Sequence, residues 1–175
     1  MKTSRAVLDH LLSLWQQATR LYLEGDYPLA VLAITLLEEV GKLVIAGNNE
    51  KPVGKVDKKA FFNHRSKYRY AVGATLFVNS RVTRVYGHME AKFASWFRED
   101  ELFSMRNRCL YLGERQGTLS APKDSVSKDD VSLLVCIAGE SLAEIQGFYT
   151  GTGPEEWATL LVEVDQFRES IGLML

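Results

Sequence analysis

Residues 28–46 read Pro28-Leu29-Ala30-Val31-Leu32-Ala33-Ile34-Thr35-Leu36-Leu37-Glu38-Glu39-Val40-Gly41-Lys42-Leu43-Val44-Ile45-Ala46. Apolar side chains surround most of the helix that this stretch forms. Only Thr35, Glu38, Glu39 and Lys42 interrupt them, along one narrow stripe two turns long. A helix apolar on nearly every side belongs in the middle of a bundle, not on its surface. Asp26-Tyr27-Pro28 supplies a cap and a first-turn proline before it, and Gly47-Asn48-Asn49 a turn after it. The apolar run Leu29–Leu37 is broken by Thr35 and ends in Glu38-Glu39, far short of the ~20 residues that span a bilayer. The stretch predicts the central helix of an all-α fold, with no membrane partner.

Upstream, Val7, Leu8, Leu11, Leu12, Trp15, Ala18, Leu21 and Tyr22 recur at three- and four-residue steps until Gly25, which predicts an amphipathic helix. Downstream, a long helix from Asp57 carries Ala60, Phe61, Tyr68, Ala71, Val72 and Leu76, with a break near Asn79-Ser80 or a continuation to Gly87. Residues 89–111 are helical again with a kink at Glu99–Glu101, and Gly113–Val126 reads as a loop. Ser127-Lys128-Asp129-Asp130 resembles a capping box that opens a helix through Ile145, and Pro154 begins a last one that ends near Gly172. No alternating pattern is long enough to build a sheet. The expectation is an all-α bundle of five to seven helices, a single helical domain over residues 1–175.

The length of 175 residues suits one domain of the usual size, roughly 150 residues. A formal net charge of −1 excludes a strongly basic nucleic-acid coat and an acidic disordered tail, while leaving room for a local basic patch. Cys109 and Cys136 form no CxxC pattern, and His10, His64 and His88 form no HxxxH or HxH pairing. Neither a disulfide framework nor a zinc site is expected, and no cofactor. The amino-terminal MKTSRAVLDHLLSLWQQ has Asp9, His10, Gln16 and Gln17 within its apolar run and no small-x-small cleavage site, unlike a signal peptide. The expected setting is a reducing cytoplasm.

Two explanations fit the polar stripe of residues 28–46. In one it faces solvent, with a Glu38–Lys42 ion pair worth about 0.3–0.5 kcal/mol. In the other it faces charged side chains of another helix inside a cleft. His64 and Lys67 share a face three residues apart, with Arg65 and Arg69 alongside, so a carboxylate of one helix can meet an imidazole and an ammonium of the next. Such a cluster offsets the cost of burying each charge. It also supplies an acid, a base and cations suited to phosphate. Taken alone, His64 between basic neighbours fits an exposed basic turn equally well. Gly41 allows a close helix approach, and Tyr68, Tyr70, Phe77, Phe93, Trp96, Phe97 and Phe103 read as core, with Trp96-Phe97 alternatively a dimer surface.

Three segments stand in one order. Leu23-Glu24-Gly25-Asp26-Tyr27-Pro28-Leu29-Ala30 leads to Leu37-Glu38-Glu39-Val40-Gly41-Lys42. Phe62-Asn63-His64-Arg65-Ser66-Lys67 follows, and then Met105-Arg106-Asn107-Arg108-Cys109-Leu110-Tyr111-Leu112 with Pro122 beyond. Together they resemble the AbiV family of bacterial abortive-infection proteins, within the HEPN group of helical bundles, over residues 18 to 123. The resemblance implies a HEPN-like bundle, an antiphage effector acting on RNA or translation, and pairing as a homodimer. It assigns catalytic roles to Glu39, Lys42, His64, Lys67, Arg108 and Tyr111, and contact with RNA or phosphate to Arg65 and Arg106. After the LY-aliphatic step, where the family tends to have Asp, this chain has Gly113 and then Glu114. Many HEPN proteins share an R-x4–6-H motif for metal-independent RNA cleavage at a dimer interface. It occurs here as Arg5–His10 and as Arg81–His88, of which the internal Arg81–His88 is the better candidate for RNA contact. Ala6 and Val82 stand where a polar residue usually follows the arginine.

Two functions follow. In the first, the protein is a ribonuclease: His64 is the base or acid, Arg108, Arg106 and Lys67 hold phosphate, and Glu39 orients a cation or the imidazole. In the second, Glu38, Glu39, Lys42, His64, Lys67 and Arg108 form a structural network or a pocket. The protein then acts by association with a phage-encoded or host partner.

Overall fold

The computed structural model describes residues 5–47, 58–76, 80–89, 92, 95–96, 100–115, 117–122, 126–149 and 154–173. Helix α1 spans Arg5–Leu23, a short 3-10 turn covers Tyr27–Ala30, and α2 spans Val31–Gly47. Then come α3 (Lys58–Phe62), α4 (His64–Leu76), α5 (Ser80–Tyr86) and a second 3-10 turn at Gly87–Met89. Helix α6 (Glu101–Leu110), strands β1 (Gly113–Arg115) and β2 (Thr118–Ser120), α7 (Lys128–Tyr149) and α8 (Pro154–Ser170) complete the order. The fold is all-α, as the hydrophobic periods predict.

Two helices form the interior. On α2, Val31, Ala33, Ile34, Leu36, Leu37, Val40, Gly41, Val44 and Ile45 are buried around most of the circumference, so α1, α4, α6 and α7 pack around it. On α7 every residue from Val131 to Ala143 is buried, and α8 lies along it. Helix α1 lays Leu8, Leu11, Trp15, Ala18 and Tyr22 onto this pair, at the three- and four-residue spacing of a single face. The Trp15 indole N–H donates to the Val135 carbonyl at 3.1 Å, satisfying a polar atom inside the core. Among the described residues no helix is long and apolar enough to cross a membrane.

Three local features depart from the sequence expectation. The long third helix is interrupted between α3 and α4, because Asn63 caps a new start: its carboxamide oxygen accepts the Ser66 N–H at 3.0 Å. Residues 77–79, at the expected break or continuation near Asn79-Ser80, lie outside the described residues. Residues 113–120, read as loop, form an antiparallel hairpin with Glu114 opposite Leu119. Strands of three residues are too short to reveal an alternating pattern. Trp96 and Tyr68 are buried as core, but Tyr70 is exposed. At Ser127 half of the expected box is present: its hydroxyl accepts the Asp130 N–H at 3.1 Å and donates to the Asp130 carboxylate. Asp100, immediately before α6, is left-handed at φ 59°; residues 97–99, on which the expected kink also falls, lie outside the described residues.

Candidate functional site

Glu38 and Glu39 are neighbours on α2, yet they point into different surroundings because successive helical residues are rotated by about 100°. Glu38 lies on a row with Ile34, Gly41 and Ile45, all buried, and its side chain is 8% exposed. Glu39 lies on the row of Thr35, Lys42 and Ala46, all half-buried. The Glu39 carboxylate meets Lys42 Nζ at 2.5 Å, and the same ammonium sits 5.9 Å from the centre of the Phe61 ring.

Glu38 gathers groups from two other helices. From α4, the Tyr68 hydroxyl donates to its Oε1 at 2.6 Å, and Lys67 Nζ lies 3.4 Å from its Oε2. His64 Nδ1, at the first position of α4, is 2.8 Å from Oε2, a charge contact too oblique to count as a linear hydrogen bond. From α6, Arg106 Nε is 3.3 Å from Oε1. Gly41, one turn along from Glu38, makes this convergence sterically open. A Cβ on Gly41 would stand 2.1 Å from the Lys67 carbonyl oxygen, so the α4 backbone reaches Glu38 only because residue 41 has no side chain. The glycine of the Glu38-Glu39-Val40-Gly41-Lys42 segment thus sets the position of Lys67.

Burial by itself raises the Glu38 carboxyl, but the Tyr68 hydroxyl, His64 and Lys67 together hold it below its ordinary value. Tyr68 is pushed well above the usual phenol range, first by burial and then by its bond to Glu38. Glu38 is therefore ionised and Tyr68 neutral at physiological pH. One carboxylate serves Lys67, Arg106 and the His64 imidazole, which leaves the cluster with excess positive charge. Lys67 is buried, whereas the His64 side chain is 38% exposed. Its Nδ1 is turned inward and is itself inaccessible, so that exposure falls on the rest of the ring.

The other expected site residues lie apart. Arg65 is exposed and ion-paired with Asp100 at 2.8 Å. Arg108 is exposed on α6, where its charge acts on Asp130 and Cys109 instead of on Glu38. Tyr111 is exposed just beyond α6. His88 falls in the Gly87–Met89 turn, its side chain outside the described residues. Arg81 is held in a second polar cluster, between α5, α7 and α8. Its guanidinium donates to both oxygens of the fully buried Glu140 at 3.1–3.2 Å and to Asp165 at 2.5 Å. The Tyr86 hydroxyl donates to Glu140 at 3.3 Å, and Arg168 Nη2 is 2.9 Å from Asp165. Burial pushes the Cys109 thiol up to about 11 and Cys136 to about 12, which leaves both as unreactive core side chains. Among the described residues no group of His, Cys, Asp and Glu is arranged to hold a metal ion.

Sequence reasoning placed the orienting carboxylate at Glu39 and read Tyr68 as core packing alone. The structure puts Glu38 at the centre, with Tyr68 bonded to it. A signal for this was present: Glu38 shares its row with Ile34, Gly41 and Ile45, whereas Glu39 shares its row with Thr35 and Lys42. Glu140, Asp165 and Arg168 carried no comparable mark.

The family model described as AbiV matches residues 2–143, a stretch that contains α1 to α6, most of α7 and all of the Glu38 cluster. No curated protein and no solved structure matches the chain significantly. With the match spanning most of the sequence and the fold all-helical, the chain belongs to the AbiV family of HEPN-type abortive-infection proteins.

Proposed function

We propose that this protein is an antiphage effector that cleaves RNA by acid–base chemistry at the Glu38–His64 centre. The observation that carries the reading is the 2.8 Å contact of a part-exposed imidazole with a buried, ionised glutamate, beside Lys67 and Arg106. A carboxylate beside Nδ1 stabilises by its charge the imidazolium that forms when the other nitrogen takes a proton. In the proposed reaction His64 accepts the proton of a ribose 2′-hydroxyl and the O2′–P bond forms. The P–O5′ bond then breaks, the departing 5′-oxygen takes a proton from water, and the hydroxide left behind takes the proton from His64. The products are a 2′,3′-cyclic phosphate and a 5′-hydroxyl. Arg106 and Lys67 offset the charge that builds on the phosphorane oxygens. Glu39 and Lys42, on the flank of α2, and Arg65, Arg108 and Tyr111, exposed nearby in sequence, serve RNA binding in this reading, since their own contacts lie outside the Glu38 cluster.

Purified protein incubated with total bacterial RNA tests it. Wild type is expected to generate cyclic-phosphate ends, and His64→Ala to lose about 100- to 10,000-fold of that rate. Equal cleavage by the two proteins removes His64 from the mechanism.

One observation favours a second reading. Lys67 is buried, and each cation of the cluster already contacts Glu38, as in a network that only fixes helix register. The protein then acts by association with a phage or host partner. Phage protection that survives His64→Ala at normal protein levels decides for this alternative.

A further inference from the structure

Residues 58–76 carry Lys58, Lys59, Arg65, Lys67 and Arg69 together with His64, and not one Asp or Glu. In a chain whose net charge is −1, that is a pronounced local excess of one sign. Helix α4 divides it between two faces. Lys67, Tyr68, Ala71 and Val72 turn inward onto α2, and Arg65, Arg69 and Tyr70 turn out to solvent. Lys58, Lys59 and Phe62 of α3 are exposed beside them. Arg65 is shared with Asp100, so the outward charge rests mainly on the two lysines and Arg69.

Phe62 is 73% exposed, unusual for a phenylalanine, and Tyr70 is 41% exposed. Phe62 is also tied to the flank of the site: its ring meets Phe61 edge to face at 5.4 Å, and Phe61 lies under the ammonium that Glu39 holds. Asn63 caps α4 directly after it, which fixes the backbone between Phe62 and His64. Tyr70 lies about 9 Å along α4 from His64. Exposed rings set among cations that no neighbouring carboxylate on the same segment offsets are the makeup of a surface for unpaired nucleic acid. Cations follow the phosphates, and a ring stacks on any base whose face is free. A duplex hides those faces.

We propose that the outer face of α3 and α4 binds single-stranded RNA, with an unpaired base stacked on Phe62 next to the His64 centre and Tyr70 as a second platform. This rests on the RNA reading above and deepens it by assigning the substrate as unpaired strand. Phe62 is a specificity residue that touches the base and takes no part in proton transfer.

The test uses the full-length protein, a fluorescein-labelled single-stranded oligoribonucleotide, the same strand in a duplex, and a copy with 2-aminopurine near its centre. Wild type is expected to bind the single strand more tightly than the duplex and to quench 2-aminopurine. Phe62→Ala should weaken single-strand binding about 5- to 150-fold and abolish the quenching, and Phe62→Trp should restore both. Because Phe62 is exposed, its melting temperature is expected to stay at the wild-type value, which separates lost stacking from lost folding. Tyr70→Ala should give a smaller loss of the same kind. Unchanged binding and quenching in Phe62→Ala, or equal affinity of wild type for strand and duplex, overturns the inference. Wild-type binding with this Phe62 dependence but without cleavage sinks the ribonuclease reading and leaves the binding face standing. Cleavage that depends on His64 but not on Phe62 does the reverse.

Discussion

Glu38 sits in the interior of α2 and Glu140 in the interior of α7, and each accepts a hydrogen bond from a tyrosine hydroxyl, Tyr68 and Tyr86 respectively. Around Glu140 the charges balance: Glu140 and Asp165 face Arg81 and Arg168. Around Glu38 the balance is broken in favour of cations, and one partner is an imidazole that reaches the surface. The same unit, a buried glutamate with a tyrosine, stands in two different electrostatic settings. The network between α5, α7 and α8 ties three helices together through paired charges. The one at the edge of α4 carries an excess of positive charge and an imidazole that reaches the surface.

The largest expected effect breaks the first network. Glu140→Ala leaves Arg81 beside a single, half-exposed carboxylate, and removing one partner of a buried pair costs about 3–5 kcal/mol in urea unfolding. Glu38→Ala should cost less, about 1–3 kcal/mol, because His64 and Arg106 can turn to water, yet it should abolish phage protection. Equal destabilisation by the two substitutions would erase the contrast. The next effect concerns how closely helices approach each cluster. Gly41→Ala forces a methyl against the Lys67 backbone and should cost about 1–3 kcal/mol along with activity. Gly139→Ala meets side-chain atoms of Trp15 and Val164 at 2.6 Å instead, so it should lower the melting temperature less and leave the Glu38 centre intact.

The smallest effect is in pH. The folded-state Glu38 carboxyl is held below its ordinary value of 4.5, so its contribution to stability is full above that pH and fades as the pH falls through the lower folded value. Wild type should therefore lose stability more steeply than Glu38→Gln below pH 4.5, while the two curves run parallel at neutral pH. Asp130, also held low, is common to both proteins and cancels from the difference. Parallel acid limbs would show that Glu38 is not held by its neighbours in solution.

Much of the fold was legible in the chain because helical periodicity is a local property: α1, α2, α7 and α8 follow from apolar spacing and from the starts at Ser127 and Pro154, whereas Pro28, read as the first turn of α2, lies in the 3-10 turn before it. The split at Asn63 and the three-residue strands of the hairpin were not, since a single cap or a short pairing leaves little trace in composition. For the site, the segments carrying His64, Lys67 and Arg106 could be named, and Gly41 could be marked for close approach. The polar stripe holds both Glu38 and Glu39 and does not separate them; only the row each occupies does, buried for Glu38 and half-buried for Glu39.

By itself, then, the sequence determined an all-helical chain, its AbiV family membership, and the basic character of residues 58–76. The tertiary structure alone decided that Glu38 is the shared carboxylate, that Tyr68 bonds to it, and that Arg81 belongs to Glu140 and Asp165. The reason is physical: periodicity and charge are written along the chain. Which side chains meet across 30 to 80 residues depends on how closely helix backbones can pack, and that is set in space by contacts such as Gly41 against Lys67.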